Sequence, residues 1–224
     1  MVAPARPTFP ARSPREDIRP PKFADKFAVL DFDAETMPVI SMFTPPTEAL
    51  LDAIDIAVRG DDLRSRTIAG SELAALPQVE VTEPLVCQIF NWYATPTWGG
   101  VRLVDVLGAA GLHPEQDGYY AVHSRDGHYF ETLSRDEAID PRVLLVTSLN
   151  GQPLPHEYGG PIRLFVPFLQ GYKSVKWVGA IQAYRNDPAG IKRLLGQSKT
   201  GRLGQAWLDR LGIEVSEGEP GDPG

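Results

Sequence analysis

Gly159–Trp177 reads GGPIRLFVPFLQGYKSVKW, and this stretch decides the fold. Ile162–Pro167 and Val175–Ala183 read as two apolar strands. Between them, Gly171-Tyr172-Lys173-Ser174 reads as a loop whose amides could hold an anion. Gly159-Gly160 permits close backbone approach. Arg163, Lys173 and Lys176 bring three positive charges into a chain whose formal net charge is −7. A local excess of that kind suggests one buried anionic group, such as a phosphate. Arg suits a bidentate contact with it, and Lys acts as a point charge. A solvated basic face on a strand pair fits the composition equally well.

Outward from this segment the chain alternates short strands with turn signals. Ala53–Arg59 (AIDIAVR) alternates apolar and polar and stops at Gly60, as a half-buried strand does. Thr67-Ile68 begins another extended piece. Ser71 is placed to cap a short helix over Glu72–Leu76 that Pro77 ends. Val79–Cys87 reads as one strand, with Pro84 marking an edge or bulge. Gly100–Gly111 has Val101, Val104, Leu107 and Ala110 at helical spacing and Gly111 at its close. Tyr119–His123 and His128–Thr132 flank Asp126-Gly127, a hairpin signal. Ser134 caps one helical turn. Val143–Leu149 is an apolar strand running into an Asn150-Gly151 turn. Gly190–Leu195 and Leu203–Leu211 read as short helices. Many short strands with few short helices, and no recurring βαβ rhythm, predict an α+β domain.

Cys87–Trp98 (CQIFNWYATPTW) holds the single cysteine of the chain. A thiolate is a soft ligand for a transition metal. At the end of a strand it would face a pocket mouth walled by Trp92, Tyr93 and Trp98. A lone Cys among tryptophans is also commonly a small core residue. His123 and His128 straddle the Asp126-Gly127 turn without a second ligand pair. His156 stands close to the Gly159-Gly160 turn and could line the anion site.

The chain has 224 residues, 42% of them hydrophobic and 23% charged, enough for one sizeable core. Its acidic balance argues against nucleic acid as a partner. No apolar run approaches the roughly 20 residues of a membrane helix, so no membrane insertion is expected. Residues 1–22 are rich in Pro and Arg without an apolar core, and Ser216–Gly224 is Gly, Pro and acid. Both read as loose termini, and the chain as cytoplasmic.

From about Ala53 to Tyr184 the chain resembles the molybdopterin-binding oxidoreductase domain of the sulfite oxidase family. It is nearest to the small bacterial members, the methionine-sulfoxide reductase catalytic subunit among them. The landmarks run in order: AIDIAVRG, SELAALP, the cysteine loop ending in WGGVRLVDVL, DGHYFETL, LLVTSLNGQPLP, GGPIRLFVP and GYKSVKW. The resemblance implies a mixed α+β sulfite-oxidase-type fold over 46–190. An N-terminal extension (1–45), partly disordered, would precede it, and C-terminal helices with a tail (191–224) would follow. It implies a molybdenum–molybdopterin cofactor, with Cys87 as both catalytic residue and metal ligand. Ser124, Arg163, Ser174, Val175 and Lys176 would hold the pterin and its phosphate. It further implies oxygen-atom transfer or related redox chemistry on a small-molecule substrate, with Arg102 or Arg125 meeting an anionic one. A separate electron-transfer partner is expected, because the chain has no haem, flavin or iron–sulfur motif. A non-catalytic pterin- or anion-binding module, or a structural domain of the same fold, is the other reading. The sequence departs from the family pattern in three ways, one being that Phe43-Thr44-Pro45-Pro46 stands where Asn- and aromatic-rich pterin contacts are expected. Four residues rather than three separate Cys87 from Trp92, and Tyr158 stands where the small members carry Asn.

Overall fold

The computed structural model describes residues 29–62, 64–113, 118–198 and 200–214. The termini read as loose, 1–22 and Ser216–Gly224, lie outside them. In chain order the strands are β1 (Leu30–Phe32), β2 (Asp55–Arg59), β3 (Ser65–Ala69), β4 (Gln78–Thr82), β5 (Leu85–Cys87), β6 (Trp92–Ala94), β7 (Thr97–Arg102), β8 (Tyr119–Ser124), β9 (Phe130–Ser134), β10 (Leu144–Leu149), β11 (Gln152–Pro153), β12 (Arg163–Phe165) and β13 (Val178–Tyr184). The helices are α1 (Gly70–Ala75), α2 (Leu103–Ala109), α3 (Arg135–Ile139), α4 (Ile191–Leu194) and α5 (Gln205–Leu211), with single 3₁₀ turns at Glu48–Leu51, His156–Tyr158 and Gly171–Lys173. Short strands in mixed sheets with few short helices make this an α+β fold.

The strands form three sheets. One runs β3-β2-β13-β8-β9, with β2 and β13 parallel and its other pairs antiparallel. A second runs β11-β10-β7-β4, with β12 also pairing β10. A small third sheet runs β1-β6-β5. The second sheet is the partition of the molecule. Along β10, Leu145 enters the larger hydrophobic core, while Leu144 and Val146 enter a smaller one with Trp92, Trp98 and Phe165. All three β10 residues are fully buried, which is why the sequence here is apolar without alternation. Each such side chain contributes about 1.5–3 kcal/mol of burial.

Three local readings are corrected by tertiary contacts. Val79–Cys87 is two strands in two different sheets, β4 and β5, because the chain leaves the ladder at Glu83-Pro84. Gly100–Arg102 belongs to β7, and the helix starts only at Leu103. Helix α1 is capped from Ala69, whose N–H is taken by the Glu72 carboxylate at 3.2 Å, and Ser71 lies inside the first turn. Other local signals hold. Ser134 accepts from the Glu137 amide at 3.3 Å, and Asn150 and Gly151 take φ of 51° and 73° in the β10–β11 turn.

The pairing of β7 with β10 requires Gly99-Gly100. A Cβ on Gly100 would sit 2.1 Å from the Leu145 carbonyl oxygen, beside a register shift between Val146 and Ser148. Gly100→Ala is therefore expected to cost about 2 kcal/mol or more. Gly108→Ala, on the exposed face of α2 with nothing within 4 Å, is expected to stabilise by about 0.5–1 kcal/mol. Denaturant unfolding of both variants checks the contrast, and equal effects would refute it.

Candidate functional site

The loops at one side of the partition enclose a cleft of about 160 Å³. Five parts of the chain line it: the segment after β1, the β5–β6 hairpin, the β8–β9 turn, the loops on either side of β12, and Lys192 at the start of α4.

One end of the cleft is cationic. Arg163, on β12, is 2% exposed. Its guanidinium donates to three carbonyl oxygens, of Tyr158 (2.9 Å), Ser174 (3.0 Å) and Leu164 (3.3 Å), and lies over the Trp98 ring at 5.2 Å. Burial lowers its pKa to about 10. Lys176 donates from Nζ to the carbonyls of Glu157 (2.7 Å) and Ile40 (2.9 Å). Burial, then repulsion from Arg163, lowers the Lys176 pKa to about 7 against an offsetting pull from Glu157. Among the described residues neither cation has a carboxylate ion-pair partner. Gly159, with φ of 108°, makes room for both, since a Cβ there would meet Lys176 Cβ at 2.9 Å and Arg163 Cβ at 3.1 Å. Two cations facing neutral dipoles leave a positive potential that an anion would neutralise.

Lys173 is not part of this charge. Its ammonium pairs with Glu131 at 3.1 Å, both side chains 1% exposed, and lies away from the cleft. Three amides of this loop are already engaged. Those of Lys173, Ser174 and Val175 bond to the carbonyls of Gln170, Gly171 and Lys173 within the 3₁₀ turn. Ser174 lines the cleft, and its hydroxyl accepts from the Val166 amide at 3.0 Å. Ser124 also lines it, donating to Asp126 (2.6 Å) and accepting from the Tyr129 amide (3.1 Å). Val175 points into the larger core instead.

The other end holds Cys87, at the end of β5. Cys87 pairs directly across from Trp92 in the β5–β6 ladder, so the extra residue of this loop is taken up by the turn, where Asn91 adopts φ of 59°. Burial raises the thiol pKa, while the amides of Phe90 and Ile89, bonding to the sulfur, and the Lys192 charge pull it back. The two backbone N–H groups orient the sulfur, but burial outweighs them and the thiol stays harder to ionise than a free one.

Of the three aromatics expected as walls, only Trp92 lines the cleft. Along β6 successive side chains face opposite ways. Tyr93 therefore enters the larger core, where its ring meets Trp207 of α5 edge-on at 6.4 Å. Trp98 is fully buried and stacked on Phe165 at 4.5 Å. Met42, Phe43, Ile89 and Phe90, each between 39% and 55% exposed, form the lip instead. Sequence reasoning missed them because exposure is not visible in apolar residue type. Arg125 is tied to Asp55 by an ion pair, and neither Arg102, Arg125, His123 nor His156 lines the cleft; His128 does. The segment after β1 is fastened across the site by Tyr158, whose hydroxyl donates to the Met37 carbonyl at 2.7 Å. Among the described residues no group of three or more His, Cys, Asp or Glu converges, and no helix is long and apolar enough to cross a membrane.

Comparison with known proteins matches residues 43–191 to the family described as oxidoreductase molybdopterin binding domain. A putative protein-methionine-sulfoxide reductase subunit, YedZ1, of Azospira oryzae is 32% identical over 119 residues, covering 53% of this chain and 44% of that protein. Mitochondrial sulfite oxidase of Rattus norvegicus is 36% identical over 144 residues, covering 53% of this chain and 26% of that one. The chain thus spans less than half the length of these relatives. Among solved structures, sulfane dehydrogenase SoxCD of Paracoccus pantotrophus superposes with a TM-score of 0.56 at 20% identity, over 69% of this chain and 41% of that one, a likeness of fold.

The Lys176 charge has a consequence for stability. Its folded pKa of about 7 lies below the ordinary 10.5. Between these values the unfolded chain binds a proton that the folded chain does not, so this residue's contribution to stability rises with pH across that window. Below about pH 7 the full penalty of the buried charge is present. Lys176→Met should remove this rise in the anion-free protein, and added phosphate should stabilise the wild type more at pH 6.5 than at pH 9. Thermal unfolding between pH 6 and 10 measures both. Parallel pH profiles for wild type and variant would refute the assignment.

Proposed function

Because this chain belongs to the oxidoreductase molybdopterin-binding domain family, we propose that it is a molybdenum–pterin-dependent oxidoreductase acting on a small substrate. Cys87 supplies the protein's ligand to the metal. Arg163, Lys176, Ser174 and Ser124 hold the pterin and its phosphate, while Val175, in the larger core with its amide and carbonyl both bonded, supports the loop that carries Ser174 and Lys176. One observation carries the reading: a single cleft is lined by two cations that have no carboxylate partner among the described residues and by the only thiol in the sequence. The donor set fits the group on two counts. The cations leave a charge that one phosphate would balance. The absence, among the described residues, of a converging set of three or more ligands suits a metal held chiefly by a dithiolene and completed by one thiolate.

When bound, such a cofactor supplies two-electron redox chemistry with transfer of an oxygen atom. The chain's own residues prepare the site for it. To hold a metal, Cys87 would give up its proton, which burial retains and which the Phe90 and Ile89 amides help to release. The Ser174 hydroxyl, already accepting from Val166, keeps its own proton to donate toward an anion. Trp92 and the apolar lip exclude water from the Cys87 end. A separate partner would give or take the electrons, since the one cysteine of this sequence cannot by itself ligate an iron–sulfur cluster.

Protein made in a pterin-competent host with molybdate should contain near-equimolar molybdenum and pterin by mass spectrometry. Cys87→Ser should keep pterin but lose turnover by about a hundredfold or more. The double variant Arg163→Met, Lys176→Met should lose pterin itself. Wild-type protein that carries neither molybdenum nor pterin would overturn the reading.

A further inference from the structure

The cleft contains a third cation that the cofactor reading leaves without a task. Lys192 lies just past the family match, which ends at residue 191. It lines the cleft at the Cys87 end, where its charge acts on the sulfur. Among the described residues its ammonium makes no hydrogen bond and no ion pair, unlike Arg163 and Lys176, whose donors are spent on carbonyls.

The position of Lys192 is built. Its backbone N–H donates to Glu131 Oε1 at 2.8 Å. Glu131 is 1% exposed and fixed by Lys173. Gly190 closes the contact: a Cβ there would lie 2.2 Å from Glu131 Oε2, so only glycine lets the chain approach. A buried carboxylate thus pins the start of α4 beside the cleft through the main chain, and the Lys192 side chain is free to face inward. The same cleft offers apolar surface at Ile89, Phe90 and Phe43. Near such walls an unpaired ammonium attracts an anion more strongly than it would in open water.

We propose that Lys192 is a substrate-positioning residue that pairs with the single oxyanion of a small organic substrate whose apolar part rests on Ile89, Phe90 and Phe43. This rests on the proposed function in placing the reaction at Cys87. One cation against an apolar wall matches a singly charged amphiphile. An inorganic dianion would leave half its charge unmatched and its surroundings unsolvated. The arginines that sequence suggested for this role, Arg102 and Arg125, do not reach the cleft.

The test uses the full chain without cofactor and exploits its single cysteine. Iodoacetate and iodoacetamide both alkylate the Cys87 thiolate with loss of iodide, so the ratio of their rates cancels the thiolate fraction and reports the field felt by a carboxylate beside the sulfur. Lys192→Gln should lower the iodoacetate-to-iodoacetamide ratio about fivefold, and Lys192→Arg should restore it. Since the Glu131 contact is made by the backbone, thermal unfolding of the variants should match the wild type. Molybdenum and pterin contents of Lys192→Gln made under cofactor-replete conditions should also match. An unchanged ratio in Lys192→Gln would overturn the proposal. So would loss of pterin from that variant, which would make Lys192 a cofactor contact. The alkylation ratio does not depend on molybdenum, so a wild type lacking the metal would sink the functional reading alone.

Discussion

Arg163 is a charge that folding places in the interior with no carboxylate ion-pair partner among the described residues. Its three carbonyl partners come from the 3₁₀ turn before β12, from β12 itself and from the loop before β13, so one guanidinium fixes the relative position of three chain segments. Lys176 extends the arrangement to the segment after β1 through the Ile40 carbonyl. Hydrogen bonds to neutral carbonyls satisfy the donors but do not cancel the charge. The charge stays uncompensated among the described residues, and burial, then repulsion from Arg163, holds the Lys176 pKa down at about 7.

A second buried cation meets the opposite fate. Lys173 is drawn to Glu131 and is neutralised there, and the same carboxylate accepts the Lys192 amide. The pair is scaffold: it joins β9, the 3₁₀ turn before β13 and α4. Two lysines three positions apart thus differ in role because one finds a carboxylate and the other finds carbonyls. The contrast also explains why the cleft is asymmetric. Its Arg163 end is ringed by polar backbone, while its Cys87 end is apolar apart from Lys192 and a few polar side chains such as Gln88 and Gln170.

The partition sheet makes this cleft possible. β10, buried on both faces, separates the two cores, and β7 approaches it closely only because Gly99-Gly100 carry no side chain. On the smaller-core side, Trp98 packs between Phe165 and the Arg163 guanidinium. The small β1-β6-β5 sheet packs into the same core, and its β5–β6 hairpin brings Cys87 to the cleft. The cleft is therefore a junction between sheets, assembled from loops that no single sheet supplies.

By itself the sequence determined whatever depends on neighbours along the chain. The strand read at Ala53–Arg59, the Ser134 cap, the Asn150-Gly151 turn and the α+β class are all set by local periodicity, capping and turn chemistry. Tertiary structure alone decided which of the local possibilities survived. Val79–Cys87 divides because its halves find partners in different sheets, and Gly100–Arg102 is a strand because β10 and β4 hold it on either side. Tyr93 and Trp98 leave the pocket wall because strand parity and core space claim them. Lys173 leaves the anion site because Glu131, distant in sequence, reaches it first, and Lys192 enters the cleft because that same carboxylate holds its backbone. A charge is visible in the sequence, but whether it is paired, and therefore what it can bind, is settled only when folding brings remote residues together.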